Sequence, residues 1–431
     1  MEYVVRTGTS PTRTVGNSNK EDLMKVLKKT GIAAIAAAAL LVSACGAASY
    51  DTPAGTDLVI GISLPLNGSA LASAGPARMG AELAVKEAAI EGYTLSVVVL
   101  DHAINGAHDP AQAAADMQTL VGNPKVVGVV GPFNSGSAKT QIPVSSEAHL
   151  LQCSPSNTNP DLTKGDAGAE LRGGRPVNYI RVAATDDLQG PAVADYAVAN
   201  GDMNVYVIDD TEVYGSGIAA TFSAQLVTAG GTVAGTASAA PSTTDFSAIV
   251  TTALEAAPDA VFYGGVTSSG GGYLRKAMIL GGLNVPLYAG DGLNDGNGEG
   301  SYIGIAGADA KNSYSAVAAI HDIPDATAFA AAYSAEYGEQ PGSYSASGYA
   351  CAQVIIAAIE AAIASAAAVE GGTVTRDSIR AAAVDPTASY ETVLGPVGFD
   401  ANGDTTQRVI SLYKVKNGDW VFDKQVTYAA E

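Results

Sequence analysis

Two short segments carry most of the side chains that could do chemistry. Gly131-Pro132-Phe133-Asn134-Ser135-Gly136-Ser137 joins an apolar run to a helical pattern, and Ser154-Pro155-Ser156-Asn157-Thr158-Asn159-Pro160 follows the next apolar run. Hydroxyls, amides and the unpaired N–H groups of a starting helix are neutral donors, a combination that seats a carboxylate. The plainer reading of both segments is helix capping and turn chemistry, for which Ser and Asn are common. A third segment, Gly290-Asp291-Gly292, sets an acid in a glycine-rich turn, and its plainer reading is an Asx turn.

Other chemistries find little support. Gly215-Ser216-Gly217-Ile218-Ala219-Ala220 superficially fits a dinucleotide fingerprint, but five residues separate it from its strand and no ribose-binding acid follows, so a tight helix start explains it. Asp400-x-Asn402-x-Asp404 and Asp295-x-Asn297-x-Glu299 imitate the opening of a calcium loop. Position twelve would be Ser411 and Ala306, without the bidentate acid, so both read as turns. No Gly-x-Ser-x-Gly elbow points to a hydrolase. His102, His108, His149 and His321 are scattered, so neither a metal site nor a triad is expected, and the chain reads as a non-enzyme without cofactor. Cys153 and Cys351 lie far apart; two buried free thiols are the expectation and their pairing the alternative.

The elements around these segments alternate. Strands are expected over 58–63, 95–100, 126–130 and 150–154, with helices over 77–91, 110–120 and 137–148; Asp109-Pro110 supplies a cap and first-turn pair. A second series runs helix 187–200, strand 204–209, helix 215–229, strand 232–236, helix 246–257, strand 260–264, helix 272–280 and strand 287–289. Helices follow over 326–337, 346–366 and 376–383, the second apolar on most faces and read as core, before closing strands over 409–415 and 420–423. Continuous apolar strands separated by helices imply parallel sheets covered on both faces. The fold class is therefore α/β, with two doubly wound parallel-sheet lobes. Ligands of such sheets bind beyond the carboxyl ends of the strands, where the three segments lie.

The chain carries 23 basic and 43 acidic residues; beyond residue 44 these become 17 and 40, because the first 44 hold 6 and 3. So acidic a surface repels phosphate backbones and argues against nucleic-acid binding. At the start, Lys25, Lys28 and Lys29 precede an apolar run, 31–44, that is too short for the roughly 20 residues of a membrane span. Val42-Ser43-Ala44-Cys45 then has the aliphatic and small residues of a lipoprotein cleavage site. The expectation is a signal over 1–44, sufficient from Met24 onward, with Cys45 lipid-bearing and 45–55 a flexible tether. An ordinary secretory signal with a chance cysteine is the alternative.

The order of motifs adds a resemblance. Gly61-Ile62-Ser63-Leu64-Pro65-Leu66-Asn67-Gly68, Arg78-Met79-Gly80-Ala81-Glu82, Asp109-Pro110-Ala111-Gln112, the segments at 131–135 and 154–163, 186–191, Tyr214-Gly215-Ser216-Gly217, Thr244-Asp245-Phe246-Ser247, Tyr263-Gly264-Gly265, Gly290-Asp291-Gly292 and Leu394-Gly395-Pro396-Val397-Gly398-Phe399-Asp400 follow one another over 56–423. In this order they resemble the branched-chain amino acid binding proteins of ATP-driven importers, type I periplasmic solute-binding proteins. The resemblance implies a three-crossover hinge, with lobe one at 56–182 and 319–407 and lobe two at 183–318 and 408–431. It implies that Ser135 and Thr158 hold a ligand carboxylate with Asn134 beside it. Ser156 through its carbonyl and Asp291 through its carboxylate would receive the ammonium. Asn157 joins from the same loop, and Asp186 and Tyr214 face the cleft from lobe two. A zwitterion needs such a layout, neutral donors at one end and an acid at the other.

A lipid-anchored, extracytoplasmic monomer delivering an amino acid to permease subunits is thereby implied; another small carboxylate such as an aromatic acid, an amide, or a sensory module are the alternatives. Aromatics usual in that family are here Val266 and, near the first loop, Ser73 or Ala74, which weakens apolar packing on a ligand. The disulfide of nearer relatives is absent, and 164–176 looks like an insertion.

Overall fold

The computed structural model describes residues 51–429. The expected signal, Cys45 and the first part of the tether lie outside the described residues. The tether's end is not loose: Ala54 N–H donates to Val374 O at 2.7 Å, docking it on the fold.

The first sheet is wholly parallel, in the order β2-β1-β3-β4-β5, with β1 Asp57–Leu64, β2 Thr94–Asp101, β3 Val126–Val130, β4 Leu151–Ser154 and β5 Tyr179–Arg181. Val126 to Val130 is buried throughout, as expected of a strand covered on both faces. Helices α1 (Leu71–Glu87), α2 (Pro110–Gly122) and α3 (Ser135–Glu147) intervene, and Asp109 caps α2 by accepting from Gln112 N–H. Helix α1 starts six residues before the expected 77, running through Pro76. Pro76 stands in the second turn, where it forgoes only the bond to the Ala72 carbonyl, and the preceding 310 turn over Gly68–Ala70 already winds the chain. The insertion at 164–176 folds as a short helix α4, Gly165–Leu171.

The second sheet has the order β12-β11-β10-β9-β8-β6-β7. Its strands are β6 Asn204–Asp209, β7 Thr232–Ser238, β8 Ala260–Gly264, β9 Leu287–Ala289, β10 Ser313–Val317, β11 Val409–Lys416 and β12 Asp419–Thr427. Strands β6 to β10 are parallel, while β11 and β12 form an antiparallel hairpin on β10, so this sheet is mixed. Strand β10, alternating Ser and Tyr/Ala, was not expected; it lacks the continuous apolar run of its neighbours. Helices α5 (Asp186–Asn200), α6 (Val213–Thr228), α7 (Ser247–Glu255), α8 (Gly271–Leu280) and α9 (Tyr302–Ala306) belong to this stretch.

The chain then returns to the first sheet with α10 (Ala326–Tyr337), α11 (Ser345–Ala367) and α12 (Arg376–Ala383). One core joins Leu58, Ile60 and Val127 with Val354, Ile355 and Ile359 of α11. Helices α1 and α11 touch backbone to backbone: a Cβ on Gly80 would stand 2.0 Å from Ser345 O, and one on Gly348 2.0 Å from Ala77 O. Helix α11 is long and apolar enough to cross a membrane, yet Ala350, Cys351, Val354, Ile355, Ala358 and Ile359 are buried in the first sheet's core, which makes it a core helix.

The expectation of free thiols is corrected here. Cys153 on β4 and Cys351 on α11 are disulfide-bonded, with Cα atoms 5.5 Å apart, because the returning helix lies over the strand. The three passages between the sheets lie side by side: Ala184 N–H donates to Ala318 O at 2.9 Å and Arg181 N–H to Gly403 O at 3.2 Å. The molecule is thus a pair of doubly wound lobes joined by three crossings.

Candidate functional site

Strands β3 and β4 end side by side, so the segments Gly131–Asn134 and Pro155–Asn159 are neighbours at the carboxyl edge of the first sheet. Short bonds weld them together. Ser154 Oγ donates to Pro132 O (2.8 Å), while Ser156 Oγ and Asn157 Nδ2 both donate to Phe133 O (2.7 and 2.6 Å). Behind them the fully buried Arg181 donates from Nε to Asp404 Oδ1 at 2.7 Å, from Nη1 to Asn157 O and Asn159 O at 3.3 and 2.7 Å, and from Nη2 to Thr163 Oγ1 at 2.5 Å. One guanidinium therefore fixes the whole 157–163 turn. Helix α3 begins at Ser135 with no side chain capping its first N–H groups. Asn134 Oδ1 is buried without a hydrogen-bond partner.

The second sheet contributes acids. Asp291 follows β9, and the glycines around it permit close packing: a Cβ on Gly290 would lie 2.5 Å from Tyr214 Oη, and one on Gly292 2.4 Å from Gly265 O. Tyr214 Oη donates to Asp291 Oδ1 at 2.8 Å and Tyr344 Oη to Oδ2 at 3.2 Å, while Asp291 N–H donates to Gln189 Oε1 at 2.6 Å. Gln189 Nε2 in turn donates to Asp186 Oδ1 (3.1 Å), and Thr158 Oγ1 to Asp186 Oδ2 (3.0 Å). A continuous network thus runs from the first-sheet loop through Asp186 and Gln189 to Asp291.

Burial dominates the electrostatics. It pushes Asp291 up to about 6 against the hydrogen bonds of Tyr214, Gln189 and Tyr344, which favour its ionised form. Burial, then the charge of Asp291, hold Asp186 well above the ordinary carboxylate range. Next along the same loop Asp295, again through burial, rises to about 7.

Two adjoining cavities of about 20 Å³ each lie here. Phe133, Asn134, Val266, Asp291, Gly292 and Tyr344 border both; Ser135, Ser156 and Tyr214 border one, and Ser73, Thr267, Ser268 and Asp295 the other. Among the described residues no Lys, Arg or His borders either. Such a space has room for about one water, so anything larger enters only when the walls part.

Of the residues singled out in the sequence, Asn134, Ser135, Ser156, Tyr214 and Asp291 meet at these cavities. Asn157 does not: its Nδ2 is spent on Phe133 O and its Oδ1 accepts from Tyr179 Oη at 2.7 Å, so it shapes the loop. Thr158 and Asp186 bond each other beside the cavities without lining them. Tyr344, Gln189 and Asp295 were missed as site residues. Gln189 stands three residues after Asp186, a spacing that puts both on one helix face and would have flagged it. Tyr344 precedes α11 in a loop with no motif. The missing aromatics are partly replaced, since Phe133 and Tyr344 meet edge to face with centroids 4.8 Å apart.

With this geometry established, comparison with known proteins is informative. The sequence profile of the periplasmic binding proteins matches residues 57–419. The Leu/Ile/Val-binding protein BraC3 of Rhizobium johnstonii is 30% identical over 363 residues, covering 84% of this chain and 92% of its own. The crystal structure of LivJ, the branched-chain amino acid transporter substrate-binding protein of Streptococcus pneumoniae, in complex with isoleucine, superposes with TM-score 0.71 at 25% identity over 86% of this chain and 99% of its own. A solute-binding protein of an R. palustris ABC transporter in complex with 4-hydroxybenzoate gives the same TM-score at 20% identity, covering 86% and 96%, a likeness of fold alone.

Proposed function

The chain belongs to the periplasmic binding protein family, in the branch of the branched-chain amino acid binding proteins, and we propose that it captures an amino acid between its two lobes for an ATP-driven importer. The observation that carries this reading is Asp291: a buried carboxylate on the wall of a site bordered, among the described residues, by no cation. A buried acid without a cationic partner is unfavourable, and a ligand ammonium supplies that partner. The ligand carboxylate lies against the Ser135 hydroxyl and the uncapped start of α3, with Ser156 carbonyl and Asn134 Oδ1 as further acceptors for the ammonium. Thr158, Asp186 and Asn157 hold these groups in place from behind.

In this proposal lobe one, 56–182 with 319–407, and lobe two, 183–318 with 408–431, part about the three crossings to admit the solute and close over it, without covalent chemistry. The chain is a monomer held at the outer face of a membrane through lipid on Cys45, where it meets the permease subunits. A thermal-shift screen of the twenty amino acids and common carboxylates tests the reading. A true ligand at about 100 times its Kd stabilises the fold by about 2.7 kcal/mol. No stabilisation by any amino acid refutes it.

A second reading, an aromatic acid as ligand, is favoured by the Phe133–Tyr344 pair. Stabilisation by benzoate-type acids and by no amino acid would establish it.

A further inference from the structure

Beyond Asp291 the site continues into a compartment with mixed walls, in which Phe133, Val266 and Tyr344 form an apolar side. Ser73, Thr267, Ser268 and Asn134 border it, and so does a second acid, Asp295. Only 6% of Asp295 is exposed. Its Oδ1 accepts the backbone N–H of Tyr302 at 2.9 Å, which ties the side chain to the start of α9. Its Oδ2 is buried and makes no direct hydrogen bond, and the neutral Thr267 hydroxyl beside the carboxyl supplies no charge partner. No Lys, Arg or His among the described residues lines this compartment.

An aliphatic ligand side chain placed here would pack on Phe133, Val266 and Tyr344 but would leave the Asp295 carboxyl buried with no charge partner. A side chain ending in a cation would pair the orphaned oxygen. Asp291 and Asp295 belong to one loop but border the space from different points: Asp291 lines both cavities, Asp295 only one of them. One ligand with two separated positive charges satisfies both.

We propose that Asp295 is the counter-ion for a positive charge at the end of the ligand side chain, so that the solute class is amino acids with cationic side chains, such as lysine or ornithine. This rests on the amino-acid reading above and sharpens it. With no Lys, Arg or His among the described residues that border these cavities, the ligand would bring both positive charges.

Calorimetric titration of the purified chain with L-lysine, L-ornithine and L-norleucine tests it, because norleucine keeps the alkyl chain and loses the terminal amine. Wild type should bind lysine or ornithine at least about tenfold tighter than norleucine, the effect of one charge-assisted hydrogen bond. Asp295→Asn should erase that preference, read as the ratio of lysine to norleucine affinity falling to about one; Asp295→Ser serves the same purpose if the Asn variant does not fold. Wild type binding norleucine as tightly as lysine overturns the proposal, as does a preference that survives in Asp295→Asn. Asp291→Ala separates the two readings. If it weakens whichever amino acid binds while Asp295→Asn keeps the wild-type ratio of lysine to norleucine affinity, the amino-acid reading stands and the cationic class falls. If no amino acid binds wild type, both fall.

Discussion

The two edges that face each other across the site are built on opposite principles. On the first sheet the loops after β3 and β4 are neutral, and nearly every donor is already spent internally: Ser154, Ser156 and Asn157 bond the carbonyls of Pro132 and Phe133, and Arg181 pins the turn from behind. On the second sheet Asp186, Asp291 and Asp295 are crowded into low-dielectric surroundings, and all three are raised. One edge is a rigid cradle with a helix start; the other gathers buried acids. Under the proposed amino-acid reading a zwitterion would have one favoured orientation, its ammonium toward the acids and its carboxylate toward the helix start.

The largest effect comes from breaking the cradle. Arg181→Ala leaves Asp404 as a buried acid without its 2.7 Å partner and frees the 157–163 turn. Removing one member of a buried pair costs about 3–5 kcal/mol. Urea unfolding should show that loss as a lower midpoint with an unchanged slope. A stability within about 0.5 kcal/mol of wild type, the range of ordinary surface changes, would mean the cradle does not depend on this side chain.

The charged edge should matter less for folding and more for binding. Asp291→Ala should weaken the amino acid by about 2–5 kcal/mol, the range for truncating a buried charged partner. The same change should leave the deaminated acid unaffected or improved. Ser135→Ala, on the neutral edge, should cost only about 1–2 kcal/mol, since neighbouring N–H groups still hold the carboxylate. Titrating both variants with both ligands reverses or confirms the contrast: an equal loss from the two substitutions would show that the edges are not functionally different.

How much of this contrast was written in the sequence depends on range. Strand β3, fully apolar between Pro- and Gly-containing loops, and Asp291, isolated between glycines, were legible because their signals are local. Strand β10 was not, because its Ser313 and Ser315 are polar in type yet buried, Ser313 Oγ bonded to Tyr302 Oη and Ser315 Oγ donating to Gly290 O, and because the hairpin β11-β12 that pairs with its edge arrives about a hundred residues later. The Cys153–Cys351 bond escaped for the same reason: spacing says nothing until α11 lies over β4. Asn157 looked like a ligand group because an amide in a turn offers both donor and acceptor. Only the fold shows that Phe133 O and Tyr179 Oη use both.

The smallest predicted effect is a pH dependence that separates the edges. The neutral edge offers nothing that titrates near neutrality. Asp291 does, and the groups facing it are Tyr214, Tyr344 and Gln189 as donors or acceptors and Asp186, itself held protonated well above the ordinary range. Burial places Asp291 at about 6 in the folded chain, against 3.8 ordinarily. Between those values the folded form binds the proton more readily than the unfolded form, so this residue's contribution to unliganded stability falls as pH rises through that window. Ligand affinity runs the other way, because the ammonium needs the ionised carboxylate. Below about pH 6 it should fall towards a tenfold loss per pH unit. Comparing wild type with Asp291→Asn cancels every other acid, and the difference isolates this one. Wild type should gain stability relative to the variant on acidification while losing amino-acid affinity, and the variant should bind weakly with no slope across the same range. Parallel slopes in the two proteins would place the titrating group elsewhere and remove Asp291 from the ammonium site.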